Sequence, residues 1–210
     1  LGSVGITGNV GLRYVHTDQV ASGTLTLGTT PTPASFPKTF NNWLPSFNLR
    51  AELTPSLIGR LAASRVLTRP NMTQTAPQIS VSTDAPTASG GNPDLKPFLA
   101  TQFDGSLEWY FRPNASLTGA LFYKKMDDYI TAQNVNTEIP GRGTVLLSTQ
   151  VNGGTAKVYG IEAAYNQVFD FLPAPFDGLG FQASYTHTEV ESNYTAGARP
   201  IVDQLIGLSK

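Results

Sequence analysis

The sequence predicts an all-β protein whose long antiparallel strands follow one another in chain order. Three observations favour this fold class. Apolar and polar residues alternate with a period of two, the chain holds 20 Gly and 15 Pro in 210 residues, and charged residues make up only 14% of it. A period of two is typical of strands, and frequent Gly and Pro disfavour long helices.

The alternation predicts seven strands. In the first one, Ile6, Val10 and Leu12 share a face, while Asn9 and Arg13 lie on the other. The predicted strands cover about residues 5–17, 40–53, 57–67, 98–111, 116–130, 157–171 and 179–188, and the stub of an eighth begins near Gln204.

Short and long connections alternate strictly between these strands. The short turns are expected at 54–56, 112–114 and 172–178, and the long loops at 19–39, 69–97, 131–155 and 189–203. Outer-membrane barrels have short turns at one rim and long loops at the other. The pattern therefore predicts a segment of an antiparallel up-and-down transmembrane β-barrel.

Strand length and the aromatic residues agree with a membrane setting. Strands of about 10 to 14 residues, tilted by about 40°, match the roughly 25 Å apolar band of such barrels. Trp109, Tyr110 and Phe111 precede a short turn, while Tyr14, Tyr123 and Tyr185 are expected nearer the other rim. Rings at both rims are typical of a wall with two interfaces.

Two residues depart from the strand pattern. Pro45 lies inside a predicted strand and has no N–H for the ladder, so a bulge is expected there. Arg65 falls on the apolar face if its strand has no bulge. Near the outer interface an arginine costs only about 0–1 kcal/mol, against about 2–4 kcal/mol at the bilayer midplane.

Composition and motifs exclude several function classes. A net charge of −1 argues against nucleic-acid binding, and the lack of cysteine excludes thiolate metal sites and a cysteine nucleophile. His16 and His187 have no triad-like partners, and no zinc-binding HExxH motif occurs. Asp127 and Asp128 are adjacent in a predicted strand and should point to opposite faces. No catalytic residue, cofactor or metal site is predicted.

Several stretches resemble the barrel of TonB-dependent outer-membrane receptors. They are residues 43–50, 52–55, 63–71, 91–97, 122–125 and 158–162. The resemblance spans nearly the whole chain. It implies an N-terminal plug inside a barrel of about 22 strands. Residues 1–210 would form part of the C-terminal half of that barrel domain, with the plug and the final strands absent.

The resemblance also implies a function. The protein would be an active-transport receptor in the bacterial outer membrane, energised through TonB, and not an enzyme. It would take up a scarce solute such as a ferric siderophore, a cobalamin or an oligosaccharide. Its expected partners are outer-membrane lipid, its own plug domain, the TonB complex and the small-molecule ligand, with no nucleic acid.

Two groups of polar residues are candidates for the site. The first should face the lumen, where it would contact the plug or line the path: Arg13, Asn48, Arg50, Glu52, Arg60, Gln102, Asp104 and Glu108. The second lies in the long extracellular loops and would meet the ligand first: Arg69, Asn92, Asp94 and Lys96.

Two other functions remain open from the residues. A passive outer-membrane porin or channel would have the same strand pattern but no plug. A soluble secreted β-protein, such as a carbohydrate-binding module, would bury its aromatic residues in a core and would not partition into membranes.

Overall fold

The computed structural model describes residues 4–25 and 31–194. Long strands dominate it, with one short helix and two short strands in a single connection. The elements are β1 (Gly5–Leu25), β2 (Thr32–Thr54), β3 (Leu57–Thr68), α1 (Met72–Thr75), β4 (Ile79–Val81), β5 (Thr87–Gly90), β6 (Phe98–Arg112), β7 (Ala115–Ile139), β8 (Gly143–Val168) and β9 (Gly180–Tyr194).

The seven long strands form one antiparallel meander, as the sequence predicts. The sheet runs in the order β1, β2, β3, β6, β7, β8, and β9 pairs with β8. Every long strand therefore pairs with its neighbour in the chain, apart from the insertion between β3 and β6. The short turns after β2, β6 and β8 consequently lie on one rim. The predicted eighth strand near Gln204 lies outside the described residues.

The predicted loops at 19–39 and 131–155 are wrong. β1 and β2 pair from Gly5↔Glu52 up to Leu25↔Thr32, and β7 and β8 pair up to Ile139↔Gly143. These hairpins extend well beyond the lengths that the alternation suggested. The parts of these hairpins farthest from the short turns are rich in Thr, Ser and Asn. This polar composition resembles that of a loop, although the backbone forms a ladder.

The predicted bulge at Pro45 is also wrong, because β1 and β2 keep a continuous register through Leu12↔Pro45. The ladder between β2 and β3 ends at Ser46, so within the described residues β2 pairs with β1 alone from Thr32 to Pro45. Pro33, Pro37 and Pro45 are separated by even numbers of residues, so their nitrogens face the same edge. A proline is tolerated where its nitrogen faces an unpaired edge.

The connection from 69 to 97 is long, as predicted, but it is ordered. β4 and β5 form a small hairpin, and β5 adds in parallel to β8 through Thr87↔Leu146 and Ser89↔Ser148. Ala88, Ile139 and Val145 form a buried apolar cluster beneath this addition. The loop therefore reaches beyond β6 and β7 and packs against β8.

The register separates the side chains into two faces. One, which we call the apolar face, carries exposed Leu12, Phe47, Leu61, Phe103, Leu107, Leu121, Ile161 and Phe181. The other, the polar face, carries Arg13, Arg50, Asp104 and Glu162. The predicted separation of these two sets is confirmed. β3 keeps its register, so Arg65 lies on the apolar face opposite Thr101.

Aromatic rings lie near both rims of the apolar face. Trp109 contacts Phe111 near the short turns, with ring centroids 5.2 Å apart. Toward the other rim, Tyr14 packs on Trp43 at 4.7 Å. Tyr185 was expected at this second rim, but its partner is Ala163, in the same register row as Leu107. This row lies five residues from the strand ends at the short turns, near the middle of an apolar band about 25 Å high.

Leu107 and its neighbour Ser106 provide a test of the two faces. If the apolar face meets lipid, Leu107→Arg should lower the free energy of unfolding of the complete barrel by about 2–4 kcal/mol. The substitution would destabilise the barrel because it places a charge in hydrocarbon. Ser106→Arg should cost little, because Ser106 lies on the polar face. The measurement is a denaturant titration of both variants refolded in lipid bilayers. Equal losses would contradict the assignment.

Candidate functional site

Two ion pairs lie side by side on the polar face near the short turns. Arg50 Nη1 donates to Glu52 Oε1 at 2.6 Å. Arg60 donates two hydrogen bonds to Glu108, from Nε to Oε1 at 2.7 Å and from Nη2 to Oε2 at 3.3 Å. The hydroxyl of Tyr110 adds a third bond to Glu108 Oε2 at 3.1 Å.

These pairs are neighbours because of the strand register. Arg50 lies opposite Arg60, and Arg60 lies opposite Ser106, next to Glu108 on the same face. Two guanidinium groups on adjacent strands would repel each other without the two carboxylates beside them. The Glu108 side chain is only 16% exposed, so most of its surface is held against its partners. The arrangement is a compact, charge-balanced patch.

The other polar-face candidates lie farther along the same strands. Asn48 Nδ2 donates to Asn9 Oδ1 at 2.9 Å across β1 and β2. Gln102 and Asp104 lie opposite Ser64 and Ala62, and Arg13 lies opposite Leu44. All eight predicted residues therefore share one face, and four of them, Arg50, Glu52, Arg60 and Glu108, form the charged patch.

The loop candidates lie in a connection that is tied to its neighbours by side-chain bonds. Asn92 Nδ2 donates to the carbonyl of Gln150 at 2.9 Å, and Asn92 Oδ1 accepts from the amide of Asp94 at 2.9 Å. Asn92 thus closes the turn that precedes β6. Leu95 in this turn is fully buried. The side chain of Asn92 serves to hold the loop.

Asn152 on β8 fixes the next part of the loop. Its Oδ1 accepts from the amide of Lys96 at 2.8 Å, and its Nδ2 donates to the carbonyls of Lys96 and Asp128, both at 2.9 Å. Asp128 has a positive φ of 58°, at a shift in the β7–β8 register. The two adjacent aspartates thus lie inside a bulge between Met126 and Tyr129, where the strict alternation expected from the sequence does not hold.

Charged side chains join the loop to the β1–β2 hairpin. Lys38 Nζ lies 2.6 Å from Asp94 Oδ1. Arg69 Nη2 donates to Thr17 Oγ1 at 3.0 Å. On the opposite side, Arg142 Nη1 donates to the carbonyl of Ser82 at 2.5 Å. The loop is therefore braced between the two tall hairpins, and Arg69 and Asp94 contribute to that bracing.

Several residues that hold this region were not predicted from the sequence. Asn152 and Arg142 fall in a stretch expected to be loop, and no local motif marks either of them. Gly91 has a clearer signal, because it belongs to the stretch 91–97 that precedes β6. A Cβ at Gly91 would lie 2.5 Å from the carbonyl of Ala76 and 2.8 Å from that of Gln74. Only glycine allows the two backbones to approach so closely.

Two kinds of feature do not occur within residues 4–25 and 31–194. No group of three or more His, Cys, Asp or Glu side chains there could hold a metal ion. No helix in that part of the chain has the length and apolar character needed to cross a membrane.

A meander of seven long strands with one apolar and one charged face has the architecture of a β-barrel wall. The family model described as TonB dependent receptor-like, beta-barrel, matches residues 3–206. The chain belongs to this family. A comparison with curated proteins finds no match.

Several solved structures have a similar fold, among them the following three. The FrpB iron transporter from Neisseria meningitidis has a TM-score of 0.57 and 15% identity, covering 91% of this chain and 24% of that one. A ferric enterobactin receptor mutant (PfeA) from Pseudomonas aeruginosa, in complex with enterobactin, has a TM-score of 0.56 and 19% identity. That match covers 73% of this chain and 23% of that one. The siderophore receptor PirA from Pseudomonas aeruginosa has a TM-score of 0.54 and 16% identity, covering 89% of this chain and 35% of that one. The chain thus spans between about a quarter and a third of their lengths.

Asn152 allows the bracing of the loop to be tested. Asn152→Ala removes the partner of the Lys96 amide and two carbonyl bonds, each worth about 1 kcal/mol. Peptides covering 92–97 should then exchange amide hydrogens at least about tenfold faster, measured by mass spectrometry on the complete barrel in detergent. The control is Asn136→Ala, an exposed residue on β7 whose side chain makes no hydrogen bond among the described residues. Unchanged protection in Asn152→Ala would contradict the role.

Proposed function

We propose that this chain is part of the barrel wall of an outer-membrane receptor that takes up a scarce solute with energy from TonB. The observation that carries the proposal is the match of the receptor-barrel family over residues 3–206. The fold supports it, because the parts of the strands next to the short turns separate an apolar face from a polar one. The apolar face would meet lipid and the polar face the lumen.

The charged patch suits a wall that encloses another domain. Arg50, Arg60, Glu52 and Glu108 neutralise one another, yet each keeps exposed surface. Such groups can exchange hydrogen bonds with a plug at little cost, since partly exposed ion pairs are worth only about 0–1 kcal/mol. In this proposal the patch, with Arg13, Asn48, Gln102 and Asp104, faces a plug domain that lies outside residues 1–210.

The braced loop suits a surface that meets the solute first. Bonds from Asn92, Asn152, Lys38 and Arg69 hold it in one arrangement, so less conformational entropy would be lost on binding. In the proposal these residues position the loop, and neighbouring polar side chains contact the solute. The solute belongs to the siderophore, cobalamin or oligosaccharide class.

A passive channel is the second candidate, since the same wall could surround an open pore. The two candidates differ in their need for energy. An uptake receptor requires TonB and concentrates its solute, whereas a channel lets the solute equilibrate without it.

Uptake measurements with and without TonB separate these functions. The complete receptor gene is expressed in a bacterial host, and accumulation of radiolabelled iron complexes, cobalamin and oligosaccharides is followed over time. We expect one class to accumulate only in the host that has TonB. A parallel host carrying the empty vector controls for endogenous receptors. Equal entry of the solute with and without TonB would contradict the proposal and favour a channel.

A further inference from the structure

A polar groove lies between the braced loop and β8, away from the charged patch. Its volume is about 430 Å³, which is within the roughly 300–1,000 Å³ typical of small-molecule sites. Segment 71–78 forms one wall, and β4, β5 and β8 form the floor. The residues that line it include Gln78, Ser80, Ser89, Ser148 and Gln150, whose side chains can form hydrogen bonds.

The floor is built by strand pairing. Ser80 on β4 lies opposite Ser89 on β5, and Ser89 lies beside Ser148 on β8. Asn134 on β7 continues the row opposite Ser148. Directly paired residues point to the same side of a sheet, so four polar side chains from four strands form one row.

The opposite side of this small sheet is apolar. Alternation places Ala88 on the reverse side, where it packs with Ile139 and Val145 in the buried cluster. The serine row is therefore held on a rigid support. Because the reverse side is buried, the serine row must lie on the exposed side of the small sheet.

The hydroxyls of this row are available to a ligand. Ser80, Ser89 and Ser148 are exposed, and within the described ranges their side chains form no hydrogen bond. A hydroxyl can both donate and accept, and the amides of Gln78 and Gln150 offer the same two functions. The groove thus presents many paired donor and acceptor groups in a small space.

The lining also contains no charged and no aromatic residue. A second groove of about 430 Å³ differs in this respect, because Arg50 and Arg60 line it on the polar face. An anionic ligand would find no cation in the groove between the loop and β8. A ligand of neutral hydroxyls would find both donors and acceptors in the lining.

We propose that this groove is a binding subsite for a neutral, hydroxyl-rich ligand, a saccharide segment. The inference rests on the proposed uptake function and narrows its solute class to one. Ser80, Ser89 and Ser148 would bond the hydroxyls on one side of the sugar. Gln78 in the wall and Gln150 in the floor would bond others.

Direct binding to the purified complete receptor tests the subsite. An array of neutral oligosaccharides, including gluco-, manno-, xylo- and chito-series, is screened first, and the strongest binder is titrated by calorimetry. Ferric enterobactin, which is anionic, is titrated as the comparison. Ser89→Tyr fills the middle of the floor with a side chain that strands favour. Thr87→Val, on the same strand but outside the lining, is the matched control.

We expect a neutral oligosaccharide to bind, and Ser89→Tyr to weaken its binding at least about tenfold, while Thr87→Val leaves it unchanged. Absence of binding across the array would overturn the inference, as would equal affinity for Ser89→Tyr and the wild type. Unchanged thermal unfolding of the variants shows that they fold. If the sugar binds but enters cells without TonB, the uptake function fails and the subsite stands. If only ferric enterobactin enters with TonB and no sugar binds, the subsite alone fails.

Discussion

The structure depends on one constraint, which is that each long strand must pair its backbone with the strand next to it. A wall in hydrocarbon has no water to satisfy unpaired N–H and C=O groups, so the ladders run almost without a break. Continuous pairing fixes the register, and the register decides the face of every side chain. The register places Arg50 and Arg60 beside their carboxylates. It also places exposed apolar side chains, from Leu12 on β1 to Phe181 on β9, on one face.

Where the pairing between long strands breaks, the unpaired backbone is occupied by prolines or bonds to the connection between β3 and β6. The ladder between β2 and β3 ends beside Pro45, and this leaves an edge that accepts three prolines. The shift at Asp128 frees a carbonyl, which Asn152 then binds together with Lys96. β8 extends above β9, and β5 pairs with its open edge there. The ordered loop and its groove are therefore consequences of strands of unequal height.

The sequence was enough to predict the seven strands, their order and their two faces, because a period of two depends on local pattern alone. It did not predict the heights of the hairpins, since residues such as those from Thr131 to Thr137 are polar on both sides. The pairing of β5 with β8 joins residues about 60 positions apart, which no short window detects. The eight polar-face candidates share one face, and their position at a lumen stays a prediction. The bracing by Asn152 and the serine row needed the register.

The central claim is that the apolar face meets lipid while the polar face meets water, and β6 allows its most direct measurement. The 210 residues contain no cysteine, so single cysteines at positions 101 to 109 can be spin-labelled one by one. In bilayers, collisions with oxygen report lipid contact, and collisions with a water-soluble nickel chelate report contact with water. The account predicts strict alternation, with oxygen favoured at odd positions such as Phe103 and Leu107 and nickel at even positions such as Asp104 and Glu108. Equal accessibility along β6, or the reverse order, would contradict it.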